Sequence, residues 1–413
     1  MALVVQKYGG TSVGTPDRIK AVANRIAKTT SRGDRVIAVV SAMAGETNRL
    51  IKLAAEFADT PDPRESDVLV STGEQVSAAL LAMRLQAIGL PARSFLAHQL
   101  RISTDSNHGR ARIKSIDSDG VRQAIEAGQT VVVAGFQGVD SRGDITTLGR
   151  GASDLTAVAI AAALKADVCE IYTDVEGVFT ADPNICPGAR KLSRISYDEM
   201  LEMAGLGAKV LQLRSVELAK RFKVPLIVRS SFNEAEGTWV REEDQSMEDV
   251  LLAGVTLDQN ESKITISSVA DRPGLAAKIF GPIAEAGIVV DMIIQNASAE
   301  GRTDVTFTVP RGDLRRAIEL VNRIAGDIGA GAVRHEESVA KVSIVGVGMR
   351  SHAGVAARMF EVLAAERINI EMIATSEIKI SVVVDNNHGQ RATRALHGAF
   401  IGVDKLTEAK AAS

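Results

Sequence analysis

The sequence predicts an α/β protein with a mostly parallel sheet sandwiched by helices, followed by two smaller ferredoxin-like βαββαβ units. Short apolar runs alternate with helical patterns through the first part of the chain. The segment 232–250 is polar and charged, and an internal repeat follows it. Alternating strand and helix patterns are typical of a parallel sheet with helices on both faces.

The alternation begins at the N-terminus, where the apolar run Ala2–Lys7 predicts a strand. Apolar residues at helical spacing then run from Ile19 to Ile26, after Pro16 near the expected helix start. Arg35–Ser41 is typical of a fully buried strand. Further strands are expected at Pro91–Leu96, Thr130–Phe136, Val168–Thr173 and Pro225–Arg229, and further helices at Ala78–Leu85, Val121–Ala127, Ser153–Lys165, Ser196–Leu213 and Ser215–Phe222. We interpret the polar segment 232–250 as a linker or an exposed segment.

The internal repeat aligns Ile264–Ile294 with Ile344–Ala374 without gaps, at a constant offset of 80 residues. The matched pairs include Gly274 with Gly354, Ala276 with Ala356, Ala277 with Ala357, Phe280 with Phe360, Ile288 with Ile368, Met292 with Met372 and Ile293 with Ile373. We expect the two matched methionines to be core residues. Each copy has the pattern of a βαββαβ unit. The predicted domains are therefore 1–245, 260–335 and 340–413.

Composition excludes several classes of protein. Lys and Arg total 48 and Asp and Glu 51, so the net charge of −3 argues against a nucleic-acid binder that relies on bulk charge. No apolar run is long enough for a membrane-spanning helix, and the N-terminus lacks the pattern of a secretory signal. Cys169 and Cys186 form neither a metal-ligand spacing nor a disulfide framework, and we expect Cys169 to be a buried thiol. A cytoplasmic setting is expected.

Four segments stand where predicted strands end, which is the edge at which parallel sheets bind ligands. Lys7–Ser12 combines a lysine with two adjacent glycines, whose backbone N–H groups can approach an anion. Ser41–Thr47 contains small residues and hydroxyls that suit a close ligand approach. Gly149–Asp154 precedes a helix and includes an arginine that can grip a carboxylate. Thr173–Val178 is the fourth segment.

Each segment also has a plainer interpretation. A Gly-Gly pair is typical of an ordinary tight turn. Ser153 or Asp154 can serve as a helix cap, which is compatible with a functional role. The sequence contains no GxxxxGKS/T loop and no GxGxxG after the first strand, so P-loop and dinucleotide-binding proteins are disfavoured.

Taken together, these segments resemble the amino acid kinase family, and within it the aspartate kinases. The resemblance covers nearly the whole chain, and its most specific part is the opening KYGGTSVG. The resembling motifs are Lys7–Gly14, Val40–Met43, Ser71–Glu74, Gly149–Asp154, Tyr172–Asp174, Ala181–Pro183 and Gly207–Lys209. The C-terminal repeat resembles the paired ACT regulatory domains of this family.

The resemblance implies transfer of the ATP γ-phosphoryl group to the side-chain carboxylate of L-aspartate. The product would be 4-phospho-L-aspartate, in the first step of lysine, threonine and methionine biosynthesis. Lys7 and Lys209 would neutralise phosphate charge, and Asp154 would orient the lysines. Mg²⁺ would be bound by the ATP phosphates, and no metal site formed by protein side chains is expected. Phosphoryl transfer needs positioning and charge neutralisation more than a covalent catalyst.

The resemblance also assigns the binding residues. Arg150 would bind the α-carboxylate of aspartate and Glu74 its α-ammonium, with Ser41, Thr47 and Ser153 nearby. The nucleotide would be held by Lys7, Gly9, Gly10, Thr173, Asp174, Phe179, Asn184 and Lys209. The candidate effector residues are Asp271, Gln295, Asn369 and Ile370, with lysine, threonine or both as effectors. A homo-oligomer formed through the ACT domains is expected, with no nucleic-acid or membrane partner.

The chain departs from the family pattern in four places. Ala152 stands for a Gly and Leu155 for a Thr in the usual GRGGSDTTA motif, while Asn184 stands where Arg is common and Phe179 where Tyr occurs. These departures favour one alternative, a catalytically impaired amino-acid sensor on the same fold. A glutamate or carbamate kinase is a second alternative, disfavoured by KYGGTSVG and the paired ACT units. A fused homoserine dehydrogenase is not expected, because the sequence ends at Ser413.

Overall fold

The computed structural model describes residues 1–208, 210–243, 252–296, 301–352 and 354–402. These residues form two compact units. The first unit contains Met1–Phe179, Lys191–Gly205 and the described part of Lys209–Gln245. The second contains Thr180–Arg190, Leu206–Ala208 and the described part of Ser246–Ser413. Two short pieces of the N-terminal half therefore pack with the C-terminal repeat.

The first unit alternates strands and helices as predicted. Its elements are β1 (Leu3–Tyr8), α1 (Pro16–Thr30), β2 (Arg35–Val40), α2 (Glu46–Ala55), α3 (Pro63–Ala87), β3 (Ala92–Phe95), β4 (Ser103–Thr104), β5 (Ile113–Ser115), α4 (Asp119–Glu126), β6 (Thr130–Ala134), β7 (Gln137–Val139), β8 (Ile145–Thr147), α5 (Ser153–Leu164), β9 (Val168–Thr173), β10 (Arg194–Ser196), α6 (Tyr197–Gly205), α7 (Leu213–Phe222), β11 (Leu226–Ser230) and β12 (Thr238–Arg241).

The main sheet of this unit has eight strands in the order β10-β12-β11-β9-β1-β2-β6-β3. Every neighbouring pair is parallel except β11 with β12, so the predicted, mostly parallel α/β sheet is confirmed. A smaller sheet has the order β5-β4-β7-β8. The central strands β1, β2 and β6 are buried almost throughout, which explains their continuous apolar sequences.

Helix α1 shows how the sequence pattern produces the packing. Thr15 caps it, accepting a hydrogen bond from Arg18 N, and proline stands in the first turn, as predicted. Its buried face consists of Ile19, Val22, Ala23 and Ile26, which join one apolar core with side chains of α3, β2 and β6. The helical spacing of these residues therefore follows from one-sided burial.

Three predictions about this unit are wrong in detail. The predicted helix Ala78–Leu85 is part of the much longer α3, whose N-terminal half was missed because its buried face carries polar residues. The single helix Ser196–Leu213 is interrupted between α6 and α7, where Gly207 has φ +98°. The segment 232–250, interpreted as a linker or an exposed segment, contains β12, which extends the main sheet and so is not a linker.

The second unit contains both copies of the repeat. Its elements are β13 (Gly254–Ala270), α8 (Leu275–Glu285), β14 (Ile293–Gln295), β15 (Arg302–Pro310), α9 (Leu314–Ile328), β16 (Val333–Val345), α10 (Val355–Ala365), β17 (Met372–Thr375), β18 (Lys379–Asp385) and α11 (Gly389–Phe400). Its strands form one antiparallel sheet in the order β14-β15-β13-β16-β18-β17. The matched helices α8 and α10 each begin after a left-handed glycine, Gly274 and Gly354.

The two copies share their longest strands. The first residues of β13, 254–258, pair with the end of β16 in the second copy, whereas residues 264–266 pair with its start in the first copy. The fourth strand of the second copy therefore comes from upstream of the first copy. Met292 and Met372 are both buried in a cluster with Val339 and Val383, which confirms them as core residues.

Among the described residues, no helix combines the length and the apolar character that a membrane crossing requires.

Candidate active site

The ends of neighbouring parallel strands form a common edge in the first unit, in the order β9-β1-β2-β6. Gly9 N donates to Tyr172 O at 3.1 Å, and Ser41 N donates to Tyr8 O at 3.1 Å. The backbone that leaves β1 thus lies between the ends of β9 and β2. Three of the four segments selected from the sequence meet here because the carboxyl ends of parallel strands share one edge.

Lys7, the penultimate residue of β1, carries the central charge of this edge. Its Nζ lies 2.7 Å from Oδ1 of Asp154 in the first turn of α5, and the two side chains are 11% and 8% exposed. Gln212 N donates to Oδ2 of Asp154 at 3.3 Å. Breaking a nearly buried pair of this kind leaves a poorly solvated charge, so each partner holds the other in place. Lys7 is therefore a fixed cation at the sheet edge.

Glycines after β1 keep the space beside this cation open. A Cβ on Gly9 would lie 3.5 Å from Lys7 Nζ, and a Cβ on Gly10 would lie 2.9 Å from the carbonyl oxygen of Ala42. A side chain at Gly10 would therefore push the turn away from the segment after β2. The tight turn and the close approach to an anion are compatible uses of the same two glycines.

Glu74 is the buried carboxylate of the site. It lies on α3 and is 3% exposed. Ala42 N donates to its Oε1 at 3.0 Å, whereas its Oε2 has no hydrogen-bond partner among the described residues. Burial raises the pKa of Glu74 to about 7, although the hydrogen bond from Ala42 opposes the shift. A buried carboxylate with an unpaired oxygen is suited to receive a cationic group.

The other predicted substrate residues lie on segments that border this edge. Ser41 directly follows β2, Thr47 is in the first turn of α2, and both are partly buried. Ser153 begins α5 and is buried. Arg150 is exposed, between two glycines with φ of +96° and +77°. Its position on a glycine-flanked turn allows the guanidinium to adjust to a ligand.

The start of α5 differs from the predicted cap. Ala152 occupies the N-cap, and neither Ser153 nor Asp154 caps the helix. Asp154 instead forms its ion pair with Lys7. The backbone N–H groups of the first turn therefore lack a side-chain cap at an edge where an anion is expected.

The predicted nucleotide residues divide between the two units. Thr173 ends β9, and its Oγ1 donates to Oδ1 of the exposed Asp174 at 3.2 Å. Phe179 is partly buried and also belongs to the first unit. Asn184 belongs to the second unit, where its Nδ2 donates to Asp182 at 3.0 Å. Lys209 lies outside the described residues.

The predicted effector residues all lie in the second unit. Asp271 directly follows β13 and is exposed, and Gln295 ends β14 and is exposed. Asn369 and the partly buried Ile370 precede β17. The strands β14 and β17 are the opposite edges of the six-stranded sheet. Gln295 and Asn369 of the same chain therefore do not lie together.

A cavity of about 540 Å³ lies elsewhere in the first unit. It is lined by apolar side chains of α5 and α7, including Leu155, and by Arg112, Lys114, Arg214 and Arg221. None of the predicted site residues that the structure describes lines it, so the sheet edge and not this cavity is the candidate active site.

Three parts of the chain match sequence families. Residues 2–230 match the amino acid kinase family, and residues 264–326 and 342–400 each match an ACT domain. The aspartokinase of Pseudomonas aeruginosa is 56% identical over 97% of this chain and 98% of its own length. The chain belongs to the aspartokinase family. The aspartokinase of Corynebacterium glutamicum is 48% identical over 97% of this chain and 96% of its own.

Solved aspartokinase structures share the fold. E. coli aspartokinase III in complex with aspartate and ADP (R-state) has a TM-score of 0.83 and 27% identity, over 96% of this chain and 99% of that chain. The same enzyme with lysine and aspartate (T-state) has a TM-score of 0.75, 27% identity, and coverage of 97% of this chain and 99% of that chain. The aspartate kinase from Synechocystis is 43% identical, with a TM-score of 0.55, over 98% of this chain and 70% of that chain.

Two departures from the aspartokinase pattern have a structural explanation. Ala152 has φ −77°, which any residue adopts, and it is fully buried. Its methyl group joins an apolar cluster with Leu50, Val70 and Leu155. Both unusual residues therefore fill core space beneath the start of α5, and they are poor support for an impaired site.

Sequence reasoning missed several residues that shape the site. Ala42 supplies the N–H that Glu74 accepts, and Gln212 supplies the N–H that Asp154 accepts. Both act through the backbone, and backbone donors leave no signal in the residue type. Asp67, another buried carboxylate of α3, was also missed.

Proposed function

We propose that this chain uses Mg-ATP to phosphorylate the side-chain carboxylate of L-aspartate, giving 4-phospho-L-aspartate and ADP. It is an enzyme of the aspartokinase family, and relatives at 56% identity extend over 97% of the chain. The observation that carries the proposal is the buried Lys7–Asp154 pair at the strand edge, because it fixes a cation where the family transfers a phosphoryl group.

The acceptor chemistry requires no general base. A carboxylate with an ordinary pKa near 4 is ionised at neutral pH and attacks directly. One oxygen of that carboxylate forms a bond to Pγ, the bond between Pγ and the β–γ bridging oxygen breaks, and ADP leaves with the electron pair. Positioning and charge neutralisation supply most of the rate enhancement in such a transfer.

Lys7 neutralises negative charge on the phosphoryl group during its transfer, and Asp154 holds the ammonium of Lys7 in place. Lys209 would act from the opposite side, on the resemblance of Gly207–Lys209 alone. Bound Mg²⁺ would neutralise phosphate oxygens of ATP, as in other phosphoryl transfers. Gly9, Gly10, Thr173, Asp174, Phe179 and Asn184 complete the proposed nucleotide site.

Two charged groups define the amino-acid end of the site. Glu74 presents an unpaired buried oxygen, which the α-ammonium of aspartate would satisfy. Arg150 would bind the α-carboxylate through its guanidinium, which matches carboxylates bidentately. Ser41, Thr47 and Ser153 border the same ligand.

We propose regulation through the second unit, with lysine, threonine or both as inhibitors that bind near Asp271, Gln295, Asn369 and Ile370. Exposed isoleucines at matched positions of the two edge strands, Ile293 and Ile373, support a homo-oligomer formed through these domains. An oligomer would also bring edge residues of different copies together. The domain boundaries 1–245, 260–335 and 340–413 belong to this proposal, with residues 254–258 added to the last domain. A role in lysine and threonine biosynthesis and a cytoplasmic setting are proposed from the family resemblance and the composition.

The test is ADP release with Mg-ATP and L-aspartate, beside L-glutamate. Lys7→Ala is expected to lower turnover by about 100-fold or more, since it removes a charge from the transition state. Lys20→Ala is a matched control, because Lys20 is 55% exposed and pairs only with the exposed Asp17 in the described structure. The assay is repeated with lysine, threonine and both. Absence of aspartate-dependent turnover, with lysine or threonine still binding in calorimetry, would favour the sensor instead.

A further inference from the structure

Asp67 is a buried carboxylate of the first unit that accepts several hydrogen bonds. It lies on α3 and is 2% exposed. Gly109 N donates to Oδ1 at 3.1 Å and to Oδ2 at 3.0 Å, and Thr147 N donates to Oδ2 at 3.0 Å. The Thr147 hydroxyl donates to Oδ1 at 2.5 Å, and His108 Nδ1 lies 2.9 Å from Oδ2. One carboxylate therefore joins α3, the turn at His108–Gly109 and the end of β8.

The strand end that Asp67 holds leads directly to Arg150. Thr147 also accepts a hydrogen bond from Ala111 N at 2.9 Å. The carbonyl oxygen of Leu148 accepts one from the Arg214 guanidinium at 2.6 Å. Thr147 and Leu148, the two residues before Gly149, are thus both hydrogen-bonded to neighbouring segments, and the left-handed backbone that glycine favours begins at Gly149, where φ is +96°. The anchoring point of Arg150 is set by these contacts.

The same helix carries Glu74, seven residues after Asp67, and both lie on its buried face. Seven residues are about two turns, or about 10 Å along a helix axis. A rigid helix therefore sets the spacing between the carboxylate that would bind the α-ammonium and the segment whose arginine would bind the α-carboxylate.

We propose that Asp67 is a positioning residue for the amino-acid substrate: it fixes the end of β8 and so places Arg150 for the substrate α-carboxylate. This inference rests on the proposed function. Asp67 does not touch the reacting atoms. Its carboxylate accepts from four donor groups on two segments, which hold the arginine-bearing turn at a fixed distance from Glu74.

The test replaces Asp67 by Asn, which keeps the shape but turns one acceptor into a donor that faces other donors. Two competitive inhibitors test the two ends of the amino-acid site separately. Succinate keeps both carboxylates of aspartate and lacks the ammonium, whereas β-alanine keeps the ammonium and lacks the α-carboxylate. For Asp67→Asn we expect the KM for L-aspartate and the inhibition constant of succinate to rise together, by about tenfold or more. The KM for ATP and the inhibition constant of β-alanine should not change. Glu74→Gln should give the reverse pattern with the two inhibitors.

Two further variants keep the test decisive if Asp67→Asn folds poorly. Thr147→Val removes the hydroxyl donor and keeps the shape, so it should raise the same two constants by a smaller factor. Thr147→Ser keeps the hydroxyl and should behave like the unmodified chain. Asp140→Asn is the matched control, since Asp140 is also buried and lies in the turn before β8, at the other end of that strand from Thr147, where it accepts from Ser106 Oγ at 2.7 Å and from Arg142 N at 2.8 Å.

The outcomes separate cleanly. Equal changes for both inhibitors and for ATP would show that Asp67 only supports the fold, and unchanged constants in Asp67→Asn and Thr147→Val would also overturn the inference. Failure of the unmodified chain to release ADP with L-aspartate would instead reject the proposed function.

Discussion

Thr180 Oγ1 lies 2.8 Å from Nε2 of His397, a residue of α11 in the second unit. The same threonine accepts from Arg190 N at 3.0 Å through its hydroxyl, and its carbonyl oxygen accepts from Val255 N at 2.8 Å. Residues 180–190 fall inside the family match of 2–230, yet these contacts attach them to the second unit. The segment that carries Asn184, one of the proposed nucleotide residues, is thus held by other residues of the second unit.

His397 makes this attachment sensitive to pH. Burial lowers the pKa of His397 below its ordinary 6.5, and the nearby Arg190 adds to the effect. As the pH falls below 6.5, His397 binds a proton in the unfolded state before it does so in the folded state. The free energy of unfolding that this group contributes above pH 6.5 is therefore lost on acidification. One such group contributes at most about 1.4 kcal/mol per pH unit. Hydrogen exchange of α11 and residues 254–258, corrected for intrinsic rates, should show weaker protection at about pH 5.5 than at about pH 7.5.

His397→Gln is the control for this prediction. The Gln amide can still bond the Thr180 hydroxyl but does not titrate. The variant should lose the acid-dependent part of the change in protection. Equal pH dependence in both proteins would assign the effect to other groups.

The raised pKa of Glu74 predicts that kcat/KM for L-aspartate falls on the acid side of neutrality. Because the pKa of Glu74 is about 7, a large fraction of the free enzyme carries a neutral carboxyl at that pH. Only the charged form pairs with the α-ammonium, so kcat/KM for L-aspartate should fall as the pH drops below about 7. The bound ammonium stabilises the carboxylate, and the limb in kcat should therefore lie at lower pH. Initial rates over a pH series, at varied aspartate, measure both.

Removal of the titrating group checks the assignment. Glu74→Gln should raise the KM for L-aspartate roughly 10- to 100-fold, as expected for a lost hydrogen bond to a charged group. The KM for ATP should stay the same, and the acid limb should disappear. Persistence of that limb in the variant would contradict the role of Glu74.

The fold was largely predictable from the sequence, because the central strands are buried on both faces and read as continuous apolar runs. The helix α1 was equally clear, since its burial is one-sided. Much of α3 was not predictable, because Asp67, Ser71 and Glu74 replace apolar residues on its buried face. Glu74 belongs to the proposed site and Asp67 to the contacts proposed to position it, so the periodic signal fails at residues with a proposed function.

The motifs selected candidate site residues but gave no contacts among them. Lys7 and Asp154 were selected separately, and the structure shows that they form one ion pair. The shared strands of the repeat were not predictable, since strand pairing depends on long-range register. The aligned offset of 80 nevertheless placed α8 and α10 correctly.

Ala152→Gly tests whether this departure from the aspartokinase pattern impairs the enzyme. The backbone of Ala152 needs no glycine, and its methyl group is buried in an apolar cluster. The change should lower the free energy of unfolding by about 1 kcal/mol through lost packing and added chain entropy. Aspartate turnover should stay within about twofold, because no proposed ligand contact changes.

Gly151→Ala is the contrasting variant for this prediction. Gly151 has φ +77°, where an added side chain strains the backbone even without a clash. It neighbours Arg150, so turnover should fall more than in Ala152→Gly. A large gain of activity in Ala152→Gly would instead show that the native methyl group obstructs the site.

The buried ion pairs of Lys341 predict a large loss of stability in the second unit when this lysine is replaced. Its side chain is 2% exposed and contacts Asp291 and Glu261. Burial opposes its charge, but Asp291 and Glu261 outweigh burial and raise the pKa of Lys341 above 10.5. Lys341→Met would leave Glu261 buried without a cation, at a cost of roughly 3–5 kcal/mol. Calorimetric unfolding should show the corresponding drop.

The contrast with Lys263 isolates burial as the cause of this loss. Lys263 also has two acidic partners, at 2.6 Å each, but its side chain is 15% exposed, against 2% for Lys341, and its more buried partner Glu371 is 19% exposed, against 8% for Glu261. Lys263→Met should therefore cost less than Lys341→Met, because water can solvate the remaining carboxylate. Adding Glu261→Gln to Lys341→Met should recover part of the loss, since the unpaired buried charge is then gone. Equal losses for the two lysines, with no recovery in the double variant, would show that packing of the lysine stems and not the buried charge determines stability here.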